Sequence, residues 1–164
     1  MVEHSILIAM AQIAISLAGF AAVAASFGAE WSARKKDQLG TLLQQSGVLL
    51  FASLMPLVMF DAGLTSEKSR AEETAEFWMI SSAIYFVCTF AMLVRVLYLV
   101  RKRNLALSGG GKFFAAAFVA VMVLQVANVV SFQMALPYYL ALLINLLFGF
   151  ITFVGLVLPP AETP

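Results

Sequence analysis

The sequence predicts an all-α, polytopic membrane protein, a bundle of five transmembrane helices. Three observations predict it. Of 164 residues, 62% are hydrophobic and 12% charged, with a mean hydropathy of +0.95, whereas soluble domains are roughly 45–50% apolar. The hydrophobic residues fall in five blocks of about 20, the length at which a helix crosses roughly 30 Å of hydrocarbon. A closed barrel, the other structure lipid tolerates, needs alternating segments of about ten residues, and none is present. The blocks cover residues 5–27, 41–63, 77–100, 113–132 and 138–158. They leave little chain for anything else, so residues 1–164 read as one transmembrane domain.

The first block, within MVEHSILIAMAQIAISLAGFAAVAA, ends in small residues as a cleavable leader would, but its start carries Glu3 and no Lys or Arg, so it reads as a span. Gln12, Ser16, Gly19 and Ser26 recur at intervals of four, three and seven and share one helical face. Ala14, Ala18, Ala22 and Ser26 form a ladder of small residues at four-residue spacing, which lets a neighbouring backbone approach closely. In the second block, Pro56 removes a hydrogen bond to the carbonyl of Ala52 and should kink the helix.

The connection DAGLTSEKSRAEETAEF sets Asp61, Glu67, Glu72, Glu73 and Glu76 against Lys68 and Arg70. Ser69 with Glu72 fits a capping box, so the third helix should extend N-terminally beyond the hydrocarbon. The alternative is an acidic vestibule that concentrates cations at an entrance. Within the third block Ser81, Tyr85, Cys88, Met92 and Arg95 share a face. Arg95 lies six residues inside Arg101, about 9 Å toward the membrane centre. Its stem should snorkel to the near interface, in preference to a fixed pore charge or a buried partner for an acid.

LSGGGK lacks the glycine spacing and the hydroxyl residue of a phosphate loop and reads as a flexible linker. In the fourth block Gln125 and Asn128 are about 60° apart around the axis, and in the fifth Asn145, Gly149 and Thr152 share a side. The connection at 133–137 only turns the chain, so the fourth and fifth helices should form an antiparallel hairpin.

Orientation follows from Lys and Arg, which cytoplasmic loops retain. Arg34, Lys35, Lys36, Arg101, Lys102, Arg103 and Lys112 fall on one side, and Lys68 and Arg70 on the other. The N-terminus is therefore expected outside and the C-terminus in the cytoplasm. Trp78, Tyr138 and Tyr139 would be outer aromatic anchors, and Trp31, Tyr98, Phe113 and Phe114 inner ones. The formal charge of +1 gives no reason to invoke nucleic acid, and topology explains the basic clusters; attraction to anionic lipid headgroups is a weaker account. The expected location is the cell membrane, as for the inner-membrane proteins of a bacterium.

Depth groups the polar residues. Gln12, Ser81, Tyr85, Gln125, Asn128 and Asn145 each lie four to eight residues from the outer end of their block, roughly 6–12 Å below the boundary. Ser53 and Pro56 reach a similar level. One polar layer is expected, with the amides of Gln125 and Asn128 facing Asn145 and Gln12 away from lipid. Such a layer is either an interhelical clamp or a path for an ion, water or small solute.

Chemistry is sparse. One histidine, His4, and one cysteine, Cys88, make no disulfide and no convincing zinc or haem site. A Ser, His and acid set would have to recruit His4 with Asp61 or Glu3, so no enzyme and no cofactor are expected. Two functions remain. In one, an oligomer of this chain forms a channel or pore-like path for a small cation or other small solute, without a central carboxylate for coupled pumping. In the other, it is a non-conducting assembly or binding subunit that docks a partner protein or lipid.

Overall fold

The computed structural model describes residues 2–26, 32–61, 70–102 and 109–157. Among these it is all-helical, with α1 (Val2–Ser26), α2 (Ala33–Asp61), α3 (Arg70–Lys102), α4 (Gly109–Ala127), a π-helical turn (Asn128–Phe132) and α5 (Ala135–Val157). All five α-helical segments, α4 together with the π turn, are long and apolar enough to cross a membrane. Contacts group the chain into two compact units, one of residues 1–54 and 145–164 and one of residues 55–144.

The helices reach past the apolar blocks because a helix does not stop where the hydrocarbon does. Ser32 begins α2 well before residue 41: its carbonyl accepts the Lys36 N–H at 3.1 Å and its hydroxyl accepts the Lys35 N–H at 3.4 Å. Serine thus satisfies donors that a helix start leaves unbonded. α3 begins at Arg70, which bears out its N-terminal extension, while Ser69 of the expected capping box lies outside the described residues, as does Trp31. The glycines of LSGGGK, expected as a linker, instead form the first turn of α4. First-turn N–H groups have no helical partner to lose, so glycine there costs little beyond its chain entropy.

In the first unit, α1 buries Leu7, Ala11, Ala14, Leu17 and Ala21, spaced four, three, three and four residues apart as one helical stripe requires. Within this unit α2 buries Leu42, Gln45, Ser46, Leu49, Ala52 and Ser53, and the helix continues beyond it through the buried Pro56. Ala21, Leu42 and Leu156 form a buried core with Leu39 and Phe153 packed on it. Phe20 lies 6.1 Å from Phe153, ring centre to ring centre. Leu17 approaches Gly149 so closely that a Cβ added there would stand 3.6 Å from Leu17 Cδ1, ordinary contact that alanine could also make.

The second unit is organised around aromatic residues at the start of α5. Trp78 is 5.6 Å from Tyr138 and 5.4 Å from Tyr139, and Tyr85 is 5.9 Å from Tyr138, all at tilted or edge-to-face angles that suit the ring quadrupoles. Trp78 and Tyr138 are buried, so these two pack within the protein rather than facing headgroups as an outer girdle would. Tyr98 and Phe113 are exposed, as membrane-facing rings are.

Candidate functional site

The polar residues of the second unit meet where α4 gives way to α5. A straight α-helix to residue 132 would leave its last carbonyls unbonded. The chain widens instead into a π turn, and the Gln133 N–H bonds the Asn128 carbonyl at 2.8 Å. Gln133 then takes a left-handed conformation, φ 49° and ψ 44°, where a side chain other than glycine costs about 1–2 kcal/mol. Asn128 is fully buried, and its amide spans the turn. Oδ1 accepts the Met134 N–H at 3.0 Å, while Nδ2 donates to the Met134 carbonyl at 3.0 Å and to Ser82 Oγ at 2.7 Å. The side chain thus acts like an extra peptide group laid against Met134 and tied to α3.

Two further bonds continue along α5. Gln125 Nε2 donates to the Pro137 carbonyl at 3.0 Å, and the Tyr85 hydroxyl donates to the Ala141 carbonyl at 3.2 Å. Met134, Pro137 and Ala141 follow at intervals of three and four, one face of the incoming helix. Apart from the bond to Ser82, these donors are therefore received by the backbone of residues 134–141, not by amides on other helices. The sequence expectation paired Gln125 and Asn128 with Asn145 and Gln12; their hydrogen bonds go to Pro137, Met134 and Ser82. Ser82 itself was not singled out by the sequence, though its place one residue beyond Ser81 could have suggested it.

Several buried oxygens have no hydrogen-bond partner among the described residues. In this unit they include Gln125 Oε1, Ser81 Oγ and Thr89 Oγ1. In the first unit they are Gln45 Oε1, Ser46 Oγ and Asn145 Oδ1. Gln45 and Ser46 also escaped the sequence reading, although their heptad spacing with Leu42, Leu49 and Ser53 marks them as inward. The three amide oxygens can only accept, from water, an N–H or O–H donor, or a cation.

α1 behaves differently. Gln12, Ser16, Gly19, Ala22 and Ser26 are all exposed, Ala18 is half-buried and only Ala14 is fully buried. At 100° per residue the polar stripe stays within roughly 40° of Gln12 and lies about 180° from the buried stripe of Leu7, Ala11, Ala14, Leu17 and Ala21. Gln12 was expected to point away from lipid, and instead it faces away from the core of its own chain. The Ser16 hydroxyl bonds the Gln12 carbonyl at 2.9 Å and the Ser26 hydroxyl bonds the Val23 carbonyl at 2.7 Å, the local bonds by which helical serines satisfy themselves. The Gln12 amide has no hydrogen bond among the described residues. A Cβ at Gly19 would meet nothing within 4 Å, so nothing in the chain itself requires glycine there.

Cys88 is a half-buried free thiol, and among the described residues no group of three or more His, Cys, Asp or Glu could hold a metal ion. The chain matches no family model, no curated protein and no solved structure.

Proposed function

We propose that copies of this protein assemble in the membrane on the polar face of α1, and that the assembled faces form a channel or pore-like path for a small cation or other small solute. One observation carries the reading: the stripe of Gln12, Ser16, Gly19 and Ser26 is exposed, opposite the buried face of its helix. An amide facing acyl chains without a partner is costly. Copies that meet on this face relieve that cost, since an amide is both donor and acceptor and can bond its own copy. Gly19 and Ala22 let the backbones approach.

Three or more copies about an axis would leave the stripe lining a seam, with Gln12 about 10 Å in from Ser5. Residues 5–26 contain no ionisable side chain, which suits passive conduction rather than proton-coupled transport. The reading keeps the N-terminus outside, the C-terminus in the cytoplasm, α4 and α5 as an antiparallel hairpin, a cell-membrane location and no enzymatic step. The hairpin is supported by the bonds that Gln125 and Asn128 make across the α4–α5 connection.

The test is flux of a small cation through liposomes that hold the purified protein. Flux is expected from the parent and is lost in Gln12→Leu and in Gly19→Ile, both with native helical content. Flux that survives both changes, or no flux from a well-folded oligomer, overturns the channel. The second outcome would favour a non-conducting subunit that docks a partner protein or lipid on the same face. That reading draws support from the serine hydroxyls of the stripe, which are already bonded to their own helix.

A further inference from the structure

The connection between α4 and α5 differs in composition from the rest. Each of the other three connections between spans carries at least four charged side chains, whereas residues 113–157 contain no Asp, Glu, Lys, Arg or His. A loop that runs through water is ordinarily polar. Here Val130, Phe132, Met134 and Leu136 are each more than half exposed. The polar side chains of residues 129–137 are Ser131 and Gln133. Ser131 is exposed and Gln133 half-buried, with the Gln133 amide turned back so that Nε2 donates to Met79 Sδ at 3.8 Å.

Water satisfies the backbone of an ordinary turn, but in hydrocarbon each open group is costly and needs a partner in the protein. The α4–α5 turn has such partners. The Gln133 N–H bonds the Asn128 carbonyl, and the Asn128 amide engages both the N–H and the carbonyl of Met134. Pro137 has no N–H to bond, and its carbonyl receives Gln125. The exposed apolar surface also continues from the turn along both helices, through Val130, Val126 and Val123 of α4 and through Leu136, Leu140 and Leu143 of α5. Spacings of three and four keep each set on one helical face.

α3 fixes the height of the turn. Asn128 reaches Ser82, Gln133 reaches Met79 and Trp78 packs on Tyr138, so the turn is level with residues 78–82. The nearest charged side chain of α3 is Glu76, which is exposed and stands three residues, about 4.5 Å, above Met79. The helix rises six residues further to Arg70, about another 9 Å. The headgroup layer on each side of a bilayer is roughly 5–8 Å thick. The charged start of α3 is long enough to cross that layer, and the turn falls below it.

We propose that the α4–α5 turn is a tip embedded in the membrane: Val130, Phe132, Met134 and Leu136 lie against lipid acyl chains at the edge of the hydrocarbon, and the hairpin does not emerge into water on that side. The partner of this surface is the lipid of one leaflet, since it offers acyl chains nothing charged and its backbone is bonded from within. The left-handed Gln133 and the amide of Asn128 let the chain reverse direction without turning its open groups to solvent. The tip belongs to the unit of residues 55–144 and is independent of any assembly on α1.

Spin labels attached at Met134→Cys and at Leu136→Cys, each in the full chain with Cys88→Ala and in phosphatidylcholine vesicles, test this by electron paramagnetic resonance. The measured quantity is the ratio of relaxation by oxygen, which dissolves among acyl chains, to relaxation by a polar nickel chelate, which stays in water. Labels at Glu76→Cys and Val123→Cys give the reference values for the charged start of α3 and for the middle of a span. All four side chains are exposed, so the labels leave the core intact, and the bonds to Met134 use its backbone. The ratio at residues 134 and 136 should exceed that at residue 76 by about ten-fold or more, because hydrocarbon excludes the chelate. Nickel access at residues 134 and 136 equal to that at residue 76 would put the turn in water and overturn the proposal. Protection of both positions from oxygen and nickel alike would mean that a second copy or another protein covers the tip, which overturns it equally.

Discussion

The start of α5 and the exposed face of α1 hold similar residues in opposite situations. Each sets an amide and hydroxyls at helical spacing inside an apolar segment. At the start of α5, Asn128 is buried and makes three bonds, Gln125 and Tyr85 also bond the backbone of α5, and every partner but Ser82 is a backbone carbonyl or N–H between Met134 and Ala141. On α1 the polar stripe faces away from the core of its unit, so the two serines find only local bonds. Gln12 reaches no backbone of another helix. A polar side chain in a span is thus held within the chain where it points at the backbone of a neighbouring helix, and Gln12, which does not, has no hydrogen bond among the described residues.

The largest effect expected from this contrast is at Asn128. Replacement by leucine removes three hydrogen bonds, each worth about 0.6 kcal/mol in measured membrane proteins. It also strands the Met134 N–H and the Ser82 hydroxyl in a buried place, which adds to the cost. A loss of about 2 kcal/mol or more should appear in the denaturant-induced unfolding of Asn128→Leu in mixed micelles. Gln12→Leu in the same assay, with the protein dilute enough to be monomeric, should be as stable as the parent. A destabilised Gln12→Leu monomer would erase the distinction between the two regions.

The next effect concerns association rather than folding. If α1 meets its copies through Gln12, then Gln12→Leu removes about one interhelical bond per copy, roughly 0.6 kcal/mol, and should weaken self-association about three-fold. Gly19→Ile should weaken it further, because a branched side chain separates the backbones. Energy transfer between labelled copies in vesicles, measured against protein-to-lipid ratio, reads both. Association unchanged in both variants would assign the seam to another face.

The sequence made one half of this contrast legible and hid the other. Five spans could be read directly, since hydrocarbon thickness fixes block length. The burial of Asn128 and Gln125 could also be read, from the cost of an amide in lipid. Their partners could not: composition gives no sign of a backbone carbonyl, and the π turn at Asn128–Phe132 that frees the chain near Met134 depends on no distinctive residue. The left-handed residue is Gln133, where the usual mark would be glycine or asparagine. The direction of Gln12 was hidden for a related reason, because small residues occur on both sides of α1 and helical periodicity alone does not say which side the neighbouring helices take.

The smallest effect sharpens the account of why Asn128 matters. Gln125 is as deeply buried as Asn128, so burial alone predicts equal consequences for removing either amide. Bond accounting predicts otherwise. Gln125→Met, close in volume, loses one bond to the Pro137 carbonyl, but that carbonyl keeps the helical bond due to it from residue 141 and is not stranded. The same change removes Gln125 Oε1, a buried oxygen without a partner among the described residues, and so relieves a desolvation cost. The two terms oppose, and Gln125→Met should unfold within about 0.5 kcal/mol of the parent, against about 2 kcal/mol for Asn128→Leu. A Gln125→Met protein as unstable as Asn128→Leu would mean that Gln125 Oε1 has a donor in the membrane, and would make that oxygen, rather than the bond to Pro137, the reason for glutamine at this position.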